Sequence, residues 1–233
     1  MILEIKGLNS YYGRAHILND IDIALERGET IALLGRNGVG KTTLLKSVIG
    51  LVREKTGSIL FKGREIASLP THRISRMGIG YVPEERRIFT NLTVRENLDV
   101  GRRERPGATR WQLERIFEVF PNLAGLLDRM AGEISGGEQQ MLTVARSLMG
   151  NPELILLDEP SEGLAPQIVE QMAKMVSQLQ EDGLTILLSE QNMHFAGRVS
   201  QRAYIIERGC TRFAGRMQDV IDDPELRKTY LAV

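Results

Sequence analysis

The chain has 233 residues, enough to bury a full core as one α/β domain with an inserted subdomain and too few for two complete catalytic domains. Its 30 lysines and arginines balance 30 aspartates and glutamates, so bulk charge gives no reason to expect a nucleic acid or an acidic substrate as partner. The one cysteine, Cys210, excludes an internal disulfide and a cysteine-built zinc cluster, the N-terminus lacks a signal-peptide pattern, and no apolar run approaches the ~20 residues that span a bilayer.

Along the chain, Met1 to Leu25 shows short alternating strands broken at Asn19-Asp20 and Arg27-Gly28, which predicts an antiparallel β-layer. Glu29 to Leu34 is a buried strand, and Thr43 to Ile49 a helix. Between them lies Gly35-Arg36-Asn37-Gly38-Val39-Gly40-Lys41-Thr42, followed by Thr43. The spacing is that of a P-loop: glycines turn the backbone so that its N–H groups face phosphate oxygens, Lys41 reaches the β- and γ-phosphates, and the Thr42 hydroxyl is placed for Mg²⁺. The phosphates then sit at a helix N-terminus.

Ser58 to Phe61 and Gly78 to Val82 read as further strands. From Glu85 to Asn151 the pattern turns helical, with Thr93 to Val100, Thr109 to Phe120 and Glu138 to Met149 as helices and Gly101 to Gly107 as a charged connection. The last of these opens on Ser135-Gly136-Gly137-Glu138-Gln139-Gln140, where Ser135 can cap, two glycines permit close backbone approach, and the helix dipole offers a second phosphate-binding surface. One ATP does not need two such surfaces, so the simplest arrangement has this one meet the ATP of a partner chain. Leu154 to Leu157 is a buried strand ending in Asp158-Glu159. Asp158 is placed for the magnesium shell, and Glu159 for polarising the attacking water as general base. Pro166 starts a helix whose stripe Ile168, Met172, Met175, Val176 and Leu179 is core. Leu184 to Ser189 and Arg202 to Ile206 complete a parallel sheet, Cys210 is a strand residue near a turn, and Asp223-Pro224 introduces a short helix.

The order of P-loop, helical insertion, Ser135-Gly136-Gly137-Glu138 and Asp158-Glu159 resembles the ATP-binding cassette family over essentially the whole chain. The resemblance implies an α/β P-loop NTPase fold: a mixed-sheet core with its antiparallel layer over 1–84 and 152–233, and a helical subdomain over 85–151. It also implies a nucleotide-sandwich dimer, each ATP lying between the P-loop of one chain and the serine-glycine motif of the other. In that likeness Tyr12 stacks on adenine with Ile17 beside it, Tyr11 being the less favoured neighbour. Three positions depart from the family pattern. Glu84 stands where most cassettes have glutamine, able to ligate Mg²⁺ or water but adding negative charge. Ala165 replaces the usual aspartate of the loop after Asp158-Glu159. Gln191 replaces a switch histidine, and its amide can donate to a γ-phosphate but cannot become cationic; His194 lies three positions late on a surface helix.

Tyr81-Val82-Pro83-Glu84-Glu85-Arg86-Arg87-Ile88-Phe89, Glu159-Pro160-Ser161-Glu162-Gly163-Leu164-Ala165-Pro166 and Ser189-Glu190-Gln191-Asn192 together look like LivF-type subunits of branched-chain amino-acid importers. Such subunits pair with a second, different cassette and two membrane permeases at the cytoplasmic face of the bacterial inner membrane, and are fed by a periplasmic binding protein. Urea and short-chain amide importers share most of these phrases. A soluble cassette acting on nucleic acid or ribosomes is the rival of another class, against which stand the single cassette and the absence of a basic stripe interleaved with aromatics. A small-molecule kinase gives no reason for Ser135-Gly136-Gly137.

Overall fold

The computed structural model describes residues 1–103 and 111–231. Strands β1 (Leu3–Tyr12) and β2 (Ala15–Leu25) form a long hairpin that turns at Gly13-Arg14. Asn19-Asp20 does not break β2 as expected. Asp20 takes φ 52°, and the pairing slips from Leu8↔Ile21 to Ser10↔Leu18, so the polar pair forms a bulge inside a continuous strand.

Strand β3 (Thr30–Leu34) leads through the glycine loop into α1 (Lys41–Val48). Next come β4 (Glu54–Phe61), β5 (Arg64–Glu65), α2 (Thr71–Met77) and β6 (Ile79–Val82). A helical segment follows: α3 (Val94–Gly101), α4 (Leu113–Val119), α5 (Pro121–Ala124) and α6 (Gly136–Leu148). The expected helix over 109–120 begins outside the described residues, as does most of the charged connection, and its described part stops before Pro121, which starts α5. The chain then runs β7 (Leu154–Asp158), α7 (Pro166–Glu181), β8 (Thr185–Glu190), α8 (Met193–Val199), β9 (Arg202–Glu207), β10 (Cys210–Arg216), α9 (Met217–Asp222) and α10 (Pro224–Tyr230).

An antiparallel sheet orders β2-β1-β4-β5, and a second sheet orders β10-β9-β3-β8-β7-β6. The second is parallel from β9 to β6, while β10 folds back antiparallel on β9 and Cys210 opens it. Strands β3, β7 and β8 are buried at every position, as a sheet covered on both faces requires. Within these apolar runs, parity decides destination. Leu154 and Leu156 pack with α1 and the antiparallel layer, whereas Ile155 and Leu157 pack with α6 and α7. The same rule sends Leu187 to the first face and Ile186 and Leu188 to the second. On α7, Met172, Met175, Val176 and Leu179 are buried core residues, with Ile168 packed at their edge.

Candidate active site

Strand parity delivers the acidic centre. Asp158 continues the Leu154, Leu156 face and emerges beneath the first turn of α1, fully buried. Its Oδ1 accepts hydrogen bonds from Thr42 Oγ1 at 2.9 Å and Ser189 Oγ at 2.7 Å, and its Oδ2 from the Tyr81 hydroxyl at 3.0 Å. Tyr81 and Ser189 reach it because β6 and β8 flank β7 and carry them on the same face. Burial and the Asp158 carboxylate push the Tyr81 phenol far above its ordinary range, so it remains a donor.

Gly40 caps α1 at φ 114°, a conformation that favours glycine, and a Cβ there would stand 2.7 Å from Leu18 Cδ2. With glycine as cap and no acidic residue in the first turn, no side chain satisfies the first N–H groups of α1. They face a cleft of about 290 Å³ floored by Gly38, Lys41, Thr42 and Thr43, with Glu84 and Glu159 on its walls. In the loop, Arg36, Asn37 and Gly38 are exposed, Gly35 is buried and Val39 half-buried.

Lys41 is 3% exposed, and its ammonium is fully occupied: Gly35 O at 2.8 Å, Arg36 O at 3.1 Å and Glu159 Oε1 at 3.0 Å. Glu159 leaves β7 with φ 46°, which swings its carboxylate back over Lys41. Gln191 Nε2 donates to Glu159 Oε2 at 2.8 Å and to Asn37 Oδ1 at 2.5 Å, so the chain brings Gln191, Glu159, Lys41 and the loop into one cluster. Burial pushes the Glu159 carboxyl up, but hydrogen bonds with Glu162, Lys41 and Gln191 outweigh it and hold it below the ordinary range. Glu162 takes the opposite shift, to about 7, because it shares a hydrogen bond with Glu159, is partly desolvated, and lies near the charges of Glu159, Glu84 and Glu190.

Ser135 and Glu138 sit apart from this cluster, at the start of α6. They form a capping box, Ser135 Oγ accepting from Glu138 N at 3.4 Å and Glu138 Oε2 from Ser135 N at 2.7 Å. The two glycines serve contacts within the chain. A Cβ on Gly136 would stand 2.5 Å from Arg86 Nη1, and one on Gly137 2.9 Å from Ile168 Cγ2. Tyr12 is half-exposed at the hairpin tip, while Tyr11 stacks on His16 at 4.3 Å. Ala165 is exposed before α7, and His194 is exposed on α8.

The residues 18–162 match the family described as ABC transporter. The chain is an ATP-binding cassette of that family. Among its relatives are the high-affinity branched-chain amino acid transport ATP-binding protein BraG of Pseudomonas aeruginosa, 39% identical over 99% of both chains, and the probable LivF of Archaeoglobus fulgidus, 36% identical over 100% of this chain and 99% of that one. The lipopolysaccharide export ATP-binding protein LptB of Haemophilus influenzae is 35% identical over 99% of this chain and 97% of its own. The ADP conformation of MJ1267, an ATP-binding cassette of an ABC transporter, superposes with a TM-score of 0.83 at 27% identity and 97% coverage of each chain. The cassette is thus an ATP-hydrolysing subunit with the α/β P-loop fold, and among its described residues no helix is long and apolar enough to cross a membrane.

Sequence reading named Asp158 and Glu159 but missed Tyr81, Ser189 and Glu190. Tyr81 and Ser189 open two of the family phrases, but those phrases give them no role; only the strand order β8-β7-β6 identifies them as partners of Asp158.

Proposed function

We propose that this cassette powers uptake of branched-chain amino acids through two membrane permeases, working at the cytoplasmic face of the membrane beside a second cassette. The observation that carries this reading is the 39% identity, end to end, with a branched-chain amino acid transport subunit. The exposed apolar residues Leu51, Phe89 and Val100 support a docking role near the Glu84 to Phe89 segment. That segment is tied to α6 by Arg146, whose Nη2 donates to Arg87 O at 2.7 Å and whose guanidinium covers the Phe89 ring at 4.9 Å.

In this reading ATP phosphates lie on the α1 N-terminus, cradled by Gly35 to Thr43, with Lys41 transferring its ammonium from Glu159 to phosphate oxygens. Thr42 and Asp158, with Glu84 on the cleft wall, would hold Mg²⁺. The donor set fits: the Thr42 hydroxyl and the Asp158 and Glu84 carboxylates are all oxygen donors, the kind Mg²⁺ takes. When bound, Mg²⁺ neutralises charge on the phosphates. Glu159, kept ionised, accepts the proton of the attacking water, and Gln191 orients it and donates toward the γ-phosphate. Tyr12 stacks on adenine. Ser135 to Glu138 meet the nucleotide of the partner cassette.

Similarity to LptB favours a second reading, export of lipopolysaccharide. Purification of the tagged chain from its native membrane, followed by uptake of labelled leucine in a deletion strain, separates the two. Uptake restored by this gene supports the importer; normal leucine uptake in the deletion strain and co-purification with export permeases rejects it. In the assembled transporter, Glu159→Gln should lower hydrolysis by about two orders of magnitude or more while ATP still binds. Turnover near the wild-type rate rejects Glu159 as the base.

A further inference from the structure

Glu190, the last residue of β8, is 2% exposed, and the scheme above gives it no task. It follows the Ile186, Leu188 parity, opposite to Ser189 and Asp158, and so lies on the face of the sheet that carries α7 and α8. Its Oε1 accepts from Ser161 N at 3.1 Å, in the loop after Glu159. Its Oε2 accepts from Gln191 N and Asn192 N, each at 3.1 Å. No cation pairs with it among the described residues, so backbone N–H groups and the Ser161 side chain meet a buried carboxylate. Burial raises its pKa, and the hydrogen bonds with Ser161, Asn192 and Gln191 oppose that rise.

A carboxylate in this position costs desolvation, so a purely architectural account needs a structural task that only it performs. Capping α8 is not that task, because Asn192 Oδ1 already accepts from Phe195 N at 3.1 Å. What Glu190 adds is a tie between two separate loops through their backbone N–H groups. One carries Ser161, two residues beyond Glu159; the other carries Gln191. Glutamine has three side-chain torsions, and its amide returns to one place only if its backbone is fixed. Here that place lies between Glu159 Oε2 and Asn37 Oδ1.

We propose that Glu190 is a positioning residue for ATP hydrolysis, its buried carboxylate clamping the Ser161 loop to the Gln191 backbone and thereby holding the Gln191 amide against Glu159. The inference rests on the roles given above to Glu159 and Gln191. Replacing Glu190 by glutamine keeps its shape but turns one acceptor into a donor facing backbone N–H groups, which breaks one arm of the clamp.

The test is a double-mutant cycle in the assembled transporter, reading kcat and the KM for ATP. Glu190→Gln should lower kcat about tenfold with KM changed less than about twofold. The Glu190→Gln, Gln191→Ala double variant should be no slower than Gln191→Ala alone, because Glu190 acts through Gln191. Should Glu190→Gln fail to assemble, Glu190→Asp keeps charge and acceptors but withdraws them by one methylene; it should lower kcat about threefold, again with no further loss in the Gln191→Ala background. A wild-type kcat in the Glu190 variant beside an impaired Gln191→Ala overturns the proposal alone. Losses that multiply in the double variant also overturn it, since they show Glu190 acting on the fold at large. A wild-type kcat in Gln191→Ala instead removes the Gln191 assignment, and the proposal with it.

Discussion

The two glycine-bearing helix starts of this cassette are built in opposite ways. At α1, glycine is the cap, no side chain satisfies the first N–H groups, and the nearby charges of Lys41, Glu159 and Asp158 all have partners inside the chain. At α6, Ser135 and Glu138 cap the helix themselves, the glycines are covered by Arg86 and Ile168, and the Arg86 guanidinium has no carboxylate partner among the described residues. The first start leaves backbone donors for a ligand and balances its own charge. The second is closed on itself along its backbone and keeps an unbalanced cation beside the positive end of a helix, an arrangement that an anion brought by another molecule relieves. This difference is the physical reason to expect one surface to govern nucleotide binding and the other to act only in an assembled pair.

The largest effect that can break the comparison is at Lys41. Lys41→Ala removes the ammonium proposed to meet phosphate and leaves Glu159, 6% exposed, without its cation in the cleft it shares with Glu84. Equilibrium titration of the isolated chain should show ATP affinity reduced about a hundredfold or more. An affinity within threefold of wild type denies the α1 surface its role.

A smaller and more selective effect is expected at Gly136. An alanine Cβ would meet the tip of Arg86, which can swing away, so the fold should lose less than about 1 kcal/mol. The arginine would nevertheless leave the face of α6. Gly136→Ala should therefore keep ATP affinity in the isolated chain and lower hydrolysis about tenfold in the assembled transporter. A matched loss of affinity in the isolated chain shows the two surfaces are not separable.

How far the sequence foretold these two surfaces follows from how local each contact is. Gly35 to Thr43 is legible because loop, lysine and helix start are contiguous, and the buried strands are legible because Ile31 to Leu34, Leu154 to Leu157 and Ile186 to Leu188 are unbroken apolar runs. Asn19-Asp20 misled because a polar pair that favours a turn also favours a bulge, and only the cross-strand register chooses between them. Tyr81, Ser189 and Glu190 escaped for another reason. The contacts that give them a role are far away in sequence, 77 residues for Tyr81 and Asp158, 31 for Ser189 and Asp158 and 29 for Glu190 and Ser161. Arg86 against Gly136 is the same case. The spacing of Ser135-Gly136-Gly137 identifies the motif, but it gives no hint that a side chain from the β6-α3 connection explains one of its glycines.

The smallest expected effect concerns Glu162, and its sign follows from proton linkage. In the folded chain its pKa rises from an ordinary 4.5 to about 7, led by the hydrogen bond with Glu159, so between those values the folded state binds a proton that the unfolded state has released. Its contribution to stability is therefore fully present below 4.5 and is lost as pH rises through about 7. Glu159, whose pKa is lowered, works in the other direction and in another window: its contribution is present above 4.5 and fades only as pH falls toward its depressed value. Because Glu162 is an exposed residue, solvent screens the interaction and the shift in melting temperature will be slight. Glu162→Gln donates to Glu159 without titrating. The melting temperature of wild type relative to Glu162→Gln should then fall steadily from pH 5 to pH 8, whereas two parallel curves show that the carboxyl pair does not hold a shared proton and that Glu159 is kept in place by Lys41 and Gln191 alone.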